Sequence, residues 1–305
     1  MRIIKLVFML AVLAAVPVFA QAPPPLYSTP QLDQLISRIA LYPDPLVAQI
    51  LASATYPDQI PDAARWADQH HYFTGQALAE AIQGDQLPWD PSVQALLPFP
   101  SVLEMMSSDM NWTTDLGNAF LAQQQDVMGA IQRERRKALD YGYLRSNGQI
   151  VVGGGPYTTI MPANPGYVVV PYYDPRVVFL APRPGIYVGS AIRFGFGVPL
   201  GGFFRPWGWG YNRFDWGGHA VVINNARWGR TWENRGEYAH PYEGVRRYGP
   251  ADRAQERHEV HERSERERGA EREGRRAPEE HRGGERGDDH GHDQGHDRGG
   301  DHDRQ

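Results

Sequence analysis

The sequence predicts an α+β protein: an N-terminal bundle of short helices, a small Gly/Pro/aromatic-rich β region, and a disordered charged tail. Three observations carry this reading. Apolar residues recur at helical spacing in short, proline-opened segments as far as Asp140. From Asn147 onward, β-branched and aromatic runs are bounded by Gly, Pro and Asn. Beyond Gly249 the apolar residues give way to Arg, Glu, Asp and His. The implied divisions are a signal peptide at 1–20, a Pro-rich leader at 21–30, a helical domain at 31–145, a strand-rich Trp/Gly/Pro region at 146–249 and the tail at 250–305.

The first segment pairs Arg2 and Lys5 with the apolar run Leu6 to Val16, too short to span a bilayer comfortably, and ends in "PVFA". That pattern predicts export, with cleavage after Ala20, and residence in the periplasm or cell envelope; an uncleaved anchor is the competing reading, against which stand helix-breaking Pro17 and the small Ala20. "QAPPPLYSTP" should then be an extended leader. Helices begin at "QLDQLISRIALY", where Leu32, Leu35, Ile36, Ile39 and Ala40 form an amphipathic stripe.

Units such as "YPDP", "YPDQIP", "PWDP", "PFP" and "PYYDP" raise the question of what a ring, a proline and an acid do together. An Asp before Pro supplies a capping oxygen and a first helical residue with φ already set, while the residue before each proline is driven out of the helical region. The units therefore read as joints between stubby helices. They place starts at Asp44, Asp58 or Asp62, Asp90 and Pro100, and a longest helix from Thr113 or Thr114 to about Asp140. "GQALAEAIQG" is a further helix closed by Gly84. Tyr42, Tyr56, Trp89 and Phe99 should pack at the corners.

In the second region "QIVV", "YTTIMP", "YVVVPYY" and "RVVFL" read as short strands after an Asn147-Gly148 turn. Arg193, Arg205 and Arg213 interrupt the greasy stretch that follows, so no internal transmembrane helix is expected. In the tail, Glu259/Arg263, Glu262/Arg266 and Glu271/Arg275 could support a fraying helix before a segment with nothing apolar to offset its ordering entropy.

Composition excludes several chemistries. The chain has no cysteine, so disulfides, thiol nucleophiles and thiolate metal sites are all ruled out. Residues 251–305 hold 12 Lys/Arg against 17 Asp/Glu, which leaves the body formally neutral within a total of −5. A neutral body with an acidic tail has no electrostatic footprint for nucleic acid. No G-x-S-x-G elbow, P-loop or S-x-x-K signature is present, and "HEVH" is one residue short of the HExxH spacing.

The strings "LDQLISRIALYPDPLVAQILASATYPDQI", "AARWADQ", "PWDPSVQALLPFPSVLEMM", "WTTDLGNAFLAQQQDVMGAIQ" and "YVVVPYYDP" together resemble the bacterial family catalogued as domain of unknown function 3300. The likeness runs from about Leu32 to Pro175, continues more loosely through the Trp/Gly-rich stretch and leaves out the tail. It implies an exported or envelope-associated protein, sometimes described as membrane-associated, with no assigned activity and no catalytic residues to carry across.

Two groups of residues remain as candidate sites. In the tail, His258, His261, His290, His292, Asp293, His296, Asp297 and His302 offer imidazole and carboxylate donors that suit weakly bound Zn, Ni or Cu. In the ring-and-glycine block, Trp207, Trp209, Tyr211 and Trp216 are a candidate face for an envelope protein or cell-wall component, the alternative being that they fill the core. The helical acids Asp44, Asp58, Asp62, Glu80, Asp85, Asp90 and Glu104 read as caps or solvated groups, and no catalytic or cofactor-binding residue is assigned. His70-His71 reads as a helix-end pair facing the dipole. The expectation is a non-enzymatic structural or interaction module. Metal buffering by the tail is the alternative, and a hydrolase with an unrecognised carboxylate site is the second.

Overall fold

Proline costs a helix nothing in its first turn, because its missing N–H would have had no intrahelical partner there. The computed structural model, which describes residues 24, 26–182, 191–245 and 266, uses this device repeatedly. Proline stands in the first turn of α1 (Thr29–Ile36), α2 (Asp44–Ala54), α3 (Ile60–Gln69), α5 (Pro91–Gln94), α6 (Pro100–Ser108) and α9 (Pro175–Val178). The others are α4 (Gly75–Gly84), α7 (Met110–Ala122) and α8 (Gln124–Asp140). All described residues but Arg266 lie in one compact unit, Met1–Arg253.

The acids at the joints divide into two kinds. Asp90 accepts the Ser92 N–H at 2.9 Å, Asp109 accepts that of Trp112 at 3.0 Å, and Asp174 accepts that of Arg176 at 2.9 Å, so these three are true caps. Asp58 and Asp62 cap nothing, and Asp62 pairs at the surface with Arg65 instead. Asp44 stands at the start of α2 but turns inward, away from capping.

Three local expectations are corrected. The long helix begins earlier, behind the Asp109 cap, and breaks at Gln123, where φ is −138° and ψ is 45°. The Gln123 side chain accepts the Tyr27 N–H at 2.7 Å and donates to the Tyr27 carbonyl at 3.1 Å, so it is tied to the incoming chain. "RVVFL" opens as the one-turn helix α9, because the Asp174 cap and the preset φ of Pro175 outweigh the β preference of two valines. Gly84 ends α4 from within, and the left-handed residue beyond it is Gln86 (φ 48°).

The strands are short and antiparallel. β1 (Ile150–Gly153) pairs with β2 (Thr159–Pro162), β3 (Tyr167–Val168) with β6 (Val198–Pro199), and β4 (Pro171–Tyr172) with β5 (Arg193–Phe194). β7 (Arg213–Asp215), β8 (Ala220–Ile223) and β9 (Ala226–Arg227) form the one three-stranded sheet among the described residues. Asn224 and Asn225 both take positive φ (50° and 59°), which gives the two-residue β8–β9 turn the twist its strands need.

Helix α2 is buried along its whole length, as an apolar helix without a polar face must be. Around it gather Phe99, Leu103, Phe120 and Ile131 from the helices and Val168, Phe204, Trp207, Trp209, Val221 and Trp228 from the strand-rich region, in one continuous apolar cluster. Helix α7 crosses α2 at Gly117, where a Cβ would stand 2.0 Å from the Ala54 carbonyl oxygen. Only glycine permits that approach.

Candidate functional site

Of the four rings named as a candidate partner-binding face, with core filling as the alternative, three lie inside. Trp207 and Trp209 are 1% and 2% exposed, and Trp216 is buried as well. Each indole N–H reaches into the helical half: Trp207 donates to Gln94 Oε1 at 3.0 Å, Trp209 to the Ala95 carbonyl at 2.9 Å, and Trp216 to Asp44 Oδ2 at 3.3 Å. Tyr211 is half-buried under the Arg205 guanidinium, 5.4 Å from its ring centre. The intervening Gly208 (φ 85°) has Ile223 Cγ2 where a Cβ would need 2.9 Å, so the glycines let the backbone approach while the rings fill the space.

Asp44 and Arg135 form the deepest polar node, one that sequence reasoning missed. Arg135 is fully buried and donates to the Ala40 carbonyl (2.8 Å), the Tyr42 carbonyl (3.0 Å), the Thr158 carbonyl (3.1 Å) and Asp44 Oδ1 (2.5 Å). Asp44 Oδ1 also accepts the Ile160 N–H at 3.2 Å. Both charges are neutralised and hydrogen-bonded, as burial requires. The node ties α2, α8, β2 and Trp216 together. A second buried cation, Arg230, donates to the Thr55 carbonyl and hydroxyl and to the Arg235 carbonyl, and lies 3.7 Å over the Tyr56 ring. Burial lowers its pKa and pushes the Tyr56 phenol up. The signal that could have found Arg135 is its place on the inward stripe of α8, in line with Ile131 and Ala138.

Of the remaining helical acids Glu104 is exposed, and two are engaged locally. Glu80 accepts from Gln76 (2.7 Å) and Asp85 from the Trp66 indole (2.7 Å). His70 Nδ1 lies 2.8 Å from the Trp66 carbonyl and His71 Nδ1 2.5 Å from that of Asp68, the helix-end placement the dipole favours. Among the described residues no group of three or more His, Asp or Glu side chains could hold a metal ion. The tail residues His258, His261, His290, His292, Asp293, His296, Asp297 and His302 lie outside the described residues.

Two surface features remain. The first is a group of three exposed rings on neighbouring segments, an aromatic ribbon in outline only. Tyr167 (46% exposed) and Tyr172 (50%) lie on β3 and β4, and Phe196, wholly exposed, stands in the stretch between β5 and β6. The Tyr172 ring lies against Gly195 and the Tyr167 side chain against Gly197, with Cβ positions only 3.2 Å away, so both glycines make room for those rings, while the Phe196 side chain between them is free in solvent. Arg193, the cross-strand neighbour of Tyr172, is exposed and makes no ion pair among the described residues. The second is a cleft of about 520 Å³ between the α7–α8 junction and the β8–β9 hairpin, lined by Asp126, His219, Arg227, Trp228 and Glu233 among others. No helix among the described residues is long and apolar enough to cross a membrane.

Comparison with known proteins returns a relative and a family. The uncharacterized protein YacH of Escherichia coli (strain K12) is 33% identical over 237 residues, covering 63% of this chain and 38% of that one. The chain thus spans under two fifths of the length of that curated relative. No solved structure matches. The family described as protein of unknown function DUF3300 matches residues 28–243, the span that carries the joints, the Asp44–Arg135 node and the buried tryptophans. By that match across most of its length, the chain belongs to the DUF3300 family.

Proposed function

We propose that this protein is an exported bacterial envelope protein that works as a non-enzymatic interaction module. The observation that carries the reading is the ribbon of Tyr167, Tyr172 and Phe196. A fold that buries six of its eight tryptophans yet leaves Phe196 wholly exposed, on a segment flanked by two half-exposed tyrosines, presents apolar rings for a partner to cover. The N-terminal pattern of Arg2, Lys5 and "PVFA" supports export with cleavage after Ala20, into the periplasm or another layer of the envelope. The partner under this reading is an envelope protein or a cell-wall component.

Affinity capture of the mature chain from its host envelope, read by mass spectrometry, tests the proposal. One abundant component should be retained by the native chain and lost with Phe196→Ser, whose fold should be unchanged. Equal recovery by both chains would remove the ribbon from the argument. Export is tested separately by the N-terminal residue of the protein recovered from the host, expected to be Gln21.

A second reading rests on the repeated Gly-His-Asp units of the tail, which supply imidazole and carboxylate donors for Zn, Ni or Cu. Calorimetric titration with each metal should show weak uptake that disappears when residues after Gly249 are removed. Uptake that survives the deletion would place the metal elsewhere.

A further inference from the structure

The cleft at the α7–α8 junction is not accounted for by the aromatic ribbon or the buried node. Its volume, about 520 Å³, falls within the range of sites for small organic ligands and exceeds what a free amino acid would fill. One wall carries Asp126 and the other Arg227, with Glu233 also in the lining. Arg227 donates from Nη2 to the Gly218 carbonyl at 2.6 Å but pairs with no carboxylate among the described residues. Asp126 accepts from Gln123 at 3.1 Å and likewise has no cationic partner there. A hydrogen bond from the Thr231 side chain holds the Glu233 carboxyl below its usual range, so it stays anionic.

The lining also includes Trp228, 2% exposed, whose ring forms part of the wall while its indole N–H, closed off from the cleft, finds no acceptor among the described residues. The other buried tryptophans of the block place theirs on named oxygens, so this orphan donor is an exception. His219, on the same rim, holds a left-handed backbone (φ 48°) that a histidine adopts at some cost.

These features select a ligand chemistry. A simple anion would satisfy Arg227 and be repelled by Asp126 and Glu233, and a simple cation would meet the reverse. A neutral sugar would desolvate all three charges without pairing them. We propose that the cleft binds a short zwitterionic peptide, with its carboxylate on Arg227 and its ammonium toward Asp126 and Glu233. The site is separate from the ribbon, so the interaction-module reading and this one stand or fall independently.

The test is isothermal titration of the full mature chain with trialanine and with its N-acetylated, C-amidated counterpart. Trialanine should bind saturably, and the blocked peptide at least about tenfold more weakly, since both of its charged ends are gone. Arg227→Gln and Asp126→Asn, both at exposed side chains, should each weaken trialanine about tenfold or more, as loss of a charge-assisted hydrogen bond does. Absence of trialanine binding, equal affinity for the two peptides, or an Arg227→Gln variant that binds like the native chain would overturn the proposal. Circular dichroism of the two exposed variants separates loss of binding from loss of fold.

Discussion

The helical region and the strand-rich region solve the same problem by different means. Helices α1 to α8 are short, but six of the eight open on a first-turn proline or a capping aspartate, and α2 supplies an aliphatic centre. The strands are only two to four residues long, too short for an isolated ladder to be stable. Their stability is borrowed. Trp207, Trp209 and Trp216 insert among the helices and place their indole N–H groups on Gln94, Ala95 and Asp44. Large rings fix the position of a backbone that its own hydrogen bonds hold poorly, and two regions of unlike texture come to share one apolar cluster.

The comparison is most exposed to failure at Arg135, which joins α8 to the loops before α2 and β2. Arg135→Met should cost about 3–5 kcal/mol, because Asp44 is left as a buried, unpaired charge. Denaturant titration followed at once by far-ultraviolet and near-ultraviolet circular dichroism checks this. The native chain should give coincident helical and tryptophan transitions, and two separated transitions would show that the strand-rich region does not depend on the helices. Replacing both Asp44 and Arg135 with apolar residues should recover most of the loss.

Within the helical half, Gly117→Ala should destabilise by about 1–3 kcal/mol, because α7 must move off the Ala54 carbonyl. At the seam between the regions, Trp207→Phe should cost a similar or smaller amount, about 1–3 kcal/mol, by leaving Gln94 Oε1 without its donor. If the rings merely filled space, this variant would melt with the native chain. Asp90→Ala, which removes the cap of α5, should cost about 1 kcal/mol in the same melts.

The smallest effects are in pH dependence and differ in sign. Backbone and arginine hydrogen bonds hold Asp109 below the ordinary aspartate value of 3.8, through the Trp112 N–H first and Arg38 second. A carboxyl with a folded pKa below its unfolded one stabilises above the unfolded value, and that contribution fades as pH falls toward the folded value. Glu134 is the reverse. Burial raises it, although Lys137 at 2.6 Å opposes the shift, so its contribution weakens as pH climbs through the carboxylate range. Melting temperature against pH should flatten on the acid side for Asp109→Asn. For Glu134→Gln, the decline with rising pH should disappear.

Local signals in the sequence determined the α+β class, the order of the helices and several of their starts. A cap at Asp90, a proline at Pro100 or a turn at Asn147 acts within a few residues and needs no distant partner. Where local rules competed, the nearest cap prevailed: Asp174-Pro175 turned "RVVFL" into a helix despite its β-branched residues. Tertiary structure decided what lies far apart in the chain. Asp44 and Arg135 are 91 positions apart, and nothing in the composition around either tells a capping aspartate from a buried one. The break at Gln123 likewise depends on Tyr27, and the burial of the tryptophans depends on helices that end a hundred residues earlier. A charge or a ring finds its state from the atoms that surround it, and only the folded chain brings those atoms together.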